Sequence, residues 1–230
     1  MKNEIMNFFA KGTNLLLDHG ITLIQWGDQV HVHWGYPAVI FAYDFAVEDS
    51  RLEEAARLIE NSDTGFKSIS PSLGVRAQGA LLVKGYRFIH QADNQNYPTH
   101  LHLVPESLVH LSVHQADLVP SPFDPTREVH RPRLPELCIS LIRCMEDYRE
   151  NSMDRWPAKH SLLILIGAAI FREPNMGGKI YIPEEETESE EDYKKKQDKA
   201  IQEIEAWELT KDDEPYRPKL IKFLLRSPGS

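Results

Sequence analysis

The stretch that most restricts what this chain can become runs from Trp26 to Asp49, WGDQVHVHWGYPAVIFAYDFAVED, where a Gly-Asp turn leads to an apolar run with a solitary carboxylate. Read as a strand from Ala38 to Val47, the run sorts into two faces, because successive side chains point to opposite sides of the pleat. Val39, Phe41, Tyr43, Phe45 and Val47 fall on one face, and Ala38, Ile40, Ala42, Asp44 and Ala46 on the other. The only charge in the strand is therefore flanked by alanines on its own face. A carboxylate in apolar surroundings is costly unless it is partnered or reaches water. Asp44 is thus either a structural residue with a donor or part of a functional site.

Before this strand, Ile21 to Gln25 is a short apolar run that ends at Gly27-Asp28, with Asp28 placed to cap a short helix through His33. Gly35-Tyr36-Pro37 then breaks the chain. After the strand, Ser50-x-x-Glu53 reads as a capping box, followed by a buried stripe of Leu52, Ala55, Ala56 and Ile59. This order of elements, with the pattern W-G-x(7)-G-x-P and the carboxylate strand, resembles uncharacterised fungal proteins with a nucleotidyltransferase-like fold. The resemblance covers residues 15–110 or thereabouts. More distant relatives of that group are the small antibiotic and tRNA nucleotidyltransferases.

The resemblance implies an α+β fold: a nucleotidyltransferase-like mixed sheet flanked by helices, followed by a helical C-terminal part. It also implies a chemistry. Nucleotidyl transfer uses Mg²⁺ or another divalent metal held by two carboxylates on one strand face and a third from a neighbouring strand, while a glycine turn brings backbone donors to the phosphates. Gly27 stands at the place of that turn, with Asp28 beside it, and Asp44 at the place of the second strand carboxylate. Ala42 occupies the position of the first, and His100 or His102 that of the third. The expected site therefore has Asp44 and Asp28 as catalytic groups, Asp44, His100 and His102 as metal ligands, and Gly27, Arg76, Lys84 and Arg87 around a nucleotide or small-molecule ligand.

The residues alone leave other readings open. His100-Leu-His102 puts two imidazoles on one strand face, and Glu106 completes a spacing, H-x-H-x(3)-E, similar to the ligand set of cupins. The glycines that surround that motif in cupins are absent, and residues 110–160 hold no second motif. The alternative is a pair of half-buried histidines hydrogen-bonded across the sheet. On a helix, His31 and His33 diverge and cannot share a ligand.

Elsewhere, residues 3–18 have helical periodicity, and Phe66–Ile69 and Ala80–His90 read as strands around a loop containing Pro71 and Gly74. Gln91 to Pro98 is a polar loop. Residues 120–135 are Pro-rich and lack periodicity, which marks a linker between an α/β domain (1–119) and a helical region (136–230). In that region Leu137–Tyr148, a helix capped by Asp154 with Pro157 in its first turn, the apolar run Leu162–Phe171 and Pro218–Arg226 read as helices. Met176 to Lys179 reads as a turn, and Glu184 to Asp192 as an acidic lead into a solvated helix.

A chain of 230 residues with 41% hydrophobic and 27% charged residues is globular. Its formal net charge of −9 argues against broad nucleic-acid binding. Arg131 and Arg133 join Arg76, Lys84 and Arg87 as the cations nearest in sequence to the expected cleft. Cys138 and Cys144, on one helix, project apart and form no disulfide framework. No signal-like segment is evident, and the longest apolar run is too short to span a bilayer, so a soluble cytoplasmic protein is expected. Two classes of function follow: a divergent nucleotidyltransferase-like enzyme transferring a nucleotidyl group to a small metabolite, or a catalytically inactive binding or regulatory protein on the same scaffold. A metal-dependent enzyme using the His-x-His pair is a third reading.

Overall fold

Alternation of Tyr43, Phe45 and Val47 with Ala42, Asp44 and Ala46 produces a strand, β2 (Ala42–Val47), that lies at the centre of the sheet. The structure, a computed structural model, describes residues 2–71, 80–93, 98–172 and 189–225. Within them the chain runs α1 (Lys2–Asp18), β1 (Ile24–Trp26), α2 (Asp28–His33), β2, α3 (Asp49–Asn61), β3 (Phe66–Ile69), β4 (Tyr86–His90), β5 (His100–Pro105), α4 (Glu106–Val109), β6 (Ala116–Pro120) and β7 (Glu128–Pro132). The helices α5 (Leu134–Glu146), α6 (Trp156–Leu165), α7 (Glu190–Glu205) and α8 (Arg217–Leu224) follow.

The seven strands form one mixed sheet in the order β3-β4-β5-β2-β1-β7-β6. The β2–β5 and β1–β7 pairs are parallel, and the others antiparallel. An α+β architecture with a helix-flanked mixed sheet and C-terminal helices is thus present.

Strand parity divides the interior into two cores. Phe45, Val47, Phe88, Leu101 and Leu103 face Phe9 and Leu16 of α1 and Ala55, Ala56 and Ile59 of α3. On the other side Ile24, Trp26, Ala46 and Val104 meet Val30 of α2 and the apolar stripes of α5, α6, α7 and α8. That second core joins residues from both halves of the chain. Burying side chains of this size is the main stabilising term of such a layered fold, at roughly 1.5–3 kcal/mol per fully buried large apolar residue.

Several expectations need correction. The segment 120–135, read as a linker, contains β7, which pairs with β6 through Val119↔Val129 and lies beside β1 at Ile24↔His130. Its prolines fall where they do not interrupt the ladder: Pro132 ends the strand and Pro135 lies in the first turn of α5. The strand expected from Ala38 begins only at Ala42, because β1 stops opposite Asp44 and β5 starts opposite Ala42. Val39 and Phe41 are left exposed. The apolar run Ile21–Gln25 is strand only from Ile24.

The Ser50 capping box is absent. Helix α3 is capped two residues earlier, at Glu48, and the Ser50 hydroxyl donates to the Glu48 carboxylate. Asp154 does not cap; Ser152 accepts from its backbone N–H. Ala80–Leu82 is a turn of 3₁₀ helix, and Gly85, at φ +92°, separates it from β4. The apolar run after Leu165 continues as a π-helical turn, Ile166–Ile170. Arg76, Gly74, Met176 to Lys179, residues 94–97 of the polar loop and residues 184–188 of the acidic run lie outside the described residues. No helix among the described residues is long and apolar enough to cross a membrane.

Candidate functional site

Cross-strand register brings four side chains into one row on the face that the C-terminal helices cover. Trp26 of β1 lies opposite Asp44 of β2, Asp44 beside His102 of β5, and His102 opposite Arg87 of β4. Paired residues share a face of the sheet, so Trp26, Asp44, His102 and Arg87 project together. The three polar members are 8%, 1% and 6% exposed for Asp44, His102 and Arg87. Groups buried this deeply must be satisfied by one another or by backbone.

They are. His102 Nδ1 lies 2.6 Å from Asp44 Oδ1, and His102 Nε2 donates to the Lys84 carbonyl at 2.8 Å. The Arg87 guanidinium donates through Nη2 and Nε to the Leu82 carbonyl, at 2.7 and 3.2 Å. Its Nη2 also lies 3.1 Å from His102 Nδ1, so the guanidinium sits within the field of Asp44. Burial pushes the Arg87 pKa down, and the Asp44 charge opposes that shift. The His102 imidazole and the Arg87 guanidinium clamp the segment Ala80–Gly85 onto the sheet by its backbone oxygens, with Leu81 inserted in the core beneath.

Gly27 serves the same unit. It sits at φ +69°, and a Cβ there would collide with the Asp44 carboxylate. The residue expected to approach a phosphate instead gives room to Asp44. It also holds the N-cap position of α2, correcting the assignment of Asp28, which is the first helical residue and makes no side-chain cap bond. The Asp28 carboxylate is half exposed and lies 3.5 Å from His31 Nδ1, too poorly aligned for a hydrogen bond. Gln29, one residue on, donates to the backbone carbonyl of Asp44.

The remaining expected site residues lie around this row or apart from it. His100 shares the face of His102 but pairs with Ala42, so no second carboxylate stands beside it on β2. Its pKa is lowered, first by burial and then by Arg87. Lys84 contributes its carbonyl while its side chain is exposed. Glu106 follows the end of β5 and begins α4; at a strand rise of about 3.3 Å per residue it stands roughly 13 Å from His102 and cannot complete a ligand set with it. Burial, followed by Glu48 and Asp49, raises its pKa. Among the described residues no group of three or more His, Cys, Asp or Glu side chains is placed to hold a metal ion.

His31 and His33 lie on α2, as expected, and point apart: His31 is buried and His33 approaches Arg131 Nη1 at 3.3 Å. Arg131 donates to Gln25, and Arg133 pairs with Glu136, so both are bound within the fold. Cys138 and Cys144 are buried and unpaired on α5; burial drives the Cys144 thiol up to about 12, which makes it inert. The contribution that escaped sequence reading is the backbone of Leu82 and Lys84. Alternation in β4, with Tyr86, Phe88 and His90 opposite Arg87 and Ile89, was the available signal that Arg87 faces the Asp44 side.

The histidines give a pH prediction. His33, His90, His100 and His130 all have pKa values below the ordinary 6.5, with burial the largest cause in each. A group depressed in the folded state contributes stability that is present above pH 6.5 and is lost as pH falls through its folded value. Chemical denaturation below pH 6.5 should therefore show falling stability in the wild type and a shallower fall in His100→Gln. An unchanged slope in that variant would remove His100 from the set.

No family model, curated protein or solved structure matches this chain.

Proposed function

We propose that this protein acts by binding, as a regulatory or ligand-carrying module on a nucleotidyltransferase-like scaffold whose metal chemistry has been replaced by an internal polar tie. The observation that carries this reading is the contact of Asp44 with His102 at 2.6 Å, with Arg87 alongside. A divalent ion entering at Asp44 would meet an imidazole already committed to the carboxylate and the Lys84 carbonyl, and a guanidinium bound to the Leu82 carbonyl. Repulsion and lost hydrogen bonds would oppose it. Transfer chemistry further needs a second carboxylate on the same strand face, where Ala42 stands.

Thermal unfolding with Mg²⁺ or Mn²⁺ and nucleoside triphosphates tests this, because a ligand that binds only the native state raises its melting temperature. The expected result is no metal-dependent shift that disappears in Asp44→Asn. A shift that needs metal and nucleotide together, and is lost in Asp44→Asn while the variant remains folded, would overturn the reading in favour of a transferase. A shift that needs no metal and survives Asp44→Asn belongs to another site.

A further inference from the structure

The cleft between α5, α6 and α8 lies away from the Asp44 row and has the chemistry of a ligand site. It measures ≈ 340 Å³ and adjoins a second hollow of ≈ 160 Å³, the two sharing Met145, Glu150, Arg155 and Phe223. A volume of a few hundred Å³, about 300–1,000 in known sites, suits a small molecule. Trp156 stands at the rim, 51% exposed, with one ring face stacked on His160 at 4.7 Å and 9° between planes. A Trp held flat by a neighbour and still half in water offers its free face to another flat ring.

Cations gather here in a chain whose formal net charge is −9. Arg155 and Lys159 line the larger hollow, Lys222 the smaller. Among the described residues none of these three side chains has an ion-pair partner. Lys219, by contrast, is bound to Glu146 and lies over the Tyr216 ring. Glu150, the one acid of the larger hollow, is exposed and suits hydroxyl donors rather than an anion.

We infer that this cleft binds a nucleoside monophosphate: base on the open face of Trp156, ribose hydroxyls donating to Glu150, phosphate held by Arg155, Lys159 and Lys222. Each part of the ligand answers a different group, since rings stack on aromatic faces, hydroxyls donate to carboxylates and phosphates attract lysine and arginine. The site needs neither metal nor Asp44, so its fate is separate from that of the polar tie.

Isothermal titration of the full chain with adenosine 5′-monophosphate, and with adenosine and inorganic phosphate as separate probes, tests the inference. Saturable one-to-one binding of the monophosphate without metal is expected, tighter than either probe alone. Lys159→Gln with Lys222→Gln should weaken it at least about tenfold while leaving adenosine unaffected, and Trp156→Ala should weaken both the monophosphate and adenosine by roughly tenfold. All three residues are exposed, so circular dichroism should be unchanged in the variants. No saturable binding, binding no tighter than inorganic phosphate, or full affinity in both folded variants would overturn the inference. So would preference for an acidic peptide over the monophosphate.

Discussion

Asp44→Ala is expected to lower the free energy of unfolding by about 3 kcal/mol, because removing the carboxylate from a buried polar cluster leaves the groups that faced it uncompensated. Here two groups are stranded: the His102 ring, 1% exposed, and the Arg87 guanidinium beside it. For a chain of 230 residues that loss corresponds to roughly 6–12 °C in melting temperature. Asp44→Asn should fall less far, since its amide oxygen still accepts from Nδ1 and its volume matches. Urea denaturation followed by circular dichroism would measure both. A loss within 0.5 kcal/mol or so, the range of surface substitutions, would mean that Asp44 is not holding the row together.

Gly85→Ala is expected to be at least as damaging, at about 4 kcal/mol, from two effects that add. At φ +92° an L side chain is strained, which costs on the order of 1–3 kcal/mol. The new Cβ would also run into the carbonyl oxygen of Leu103 and stand 3.1 Å from Val104 Cα, both backbone atoms of β5. Overpacking of this kind costs roughly 1–3 kcal/mol more. The neighbour cannot swing aside, because Leu103 is paired with Tyr86 across β4–β5 and with Phe45 across β2–β5. The same denaturation assay should show the loss, together with exposure of the Ala80–Gly85 segment to hydrogen exchange. Gly20→Ala is the useful contrast: Gly20 also has positive φ, at +68°, but nothing lies within 4 Å of its Cβ position, so only the strain should appear.

How far the sequence foretold these arrangements depends on whether each rests on local or distant contacts. The side of β2 to which Asp44 points follows from the two-residue period alone; the α+β class is what the resemblance implied, and the helical first segment and apolar C-terminal stripes agree with it. The extents of α1, β3 and α8 agree within a residue or two with those read from periodicity. The residues alone do not give the partner of Asp44; the resemblance put His102 in one site with it, but as a metal ligand rather than as its hydrogen-bond partner. Placing His102 beside it needs the parallel register of β2 with β5, fixed across 58 positions of chain. Arg87 likewise looked like a cation for an anionic ligand, because nothing local says that the backbone carbonyl of Leu82 would be folded down on it. Residues 128–132 were lost among prolines, since a five-residue strand between Pro125 and Pro135 offers too few positions for a period to show.

The same reasoning explains why the carboxylate strand suggested metal chemistry. A lone acid among alanines is what both a ligand site and a buried ion pair look like in one dimension. They differ only in what the third dimension places opposite it. In this protein that is an imidazole whose second nitrogen is already used, and a glycine, Gly27, whose missing Cβ makes room for the acid.

The most direct test of that claim is the coupling between Asp44 and His102 in a double-mutant cycle, with Asp44→Ala, His102→Ala and the pair measured by urea denaturation. If the two side chains exist for each other, the second substitution should cost much less once the first is made, giving a coupling energy on the order of 1–3 kcal/mol. Additive effects within about 0.5 kcal/mol would contradict the account, and would mean that Asp44 is held, or used, by something other than His102.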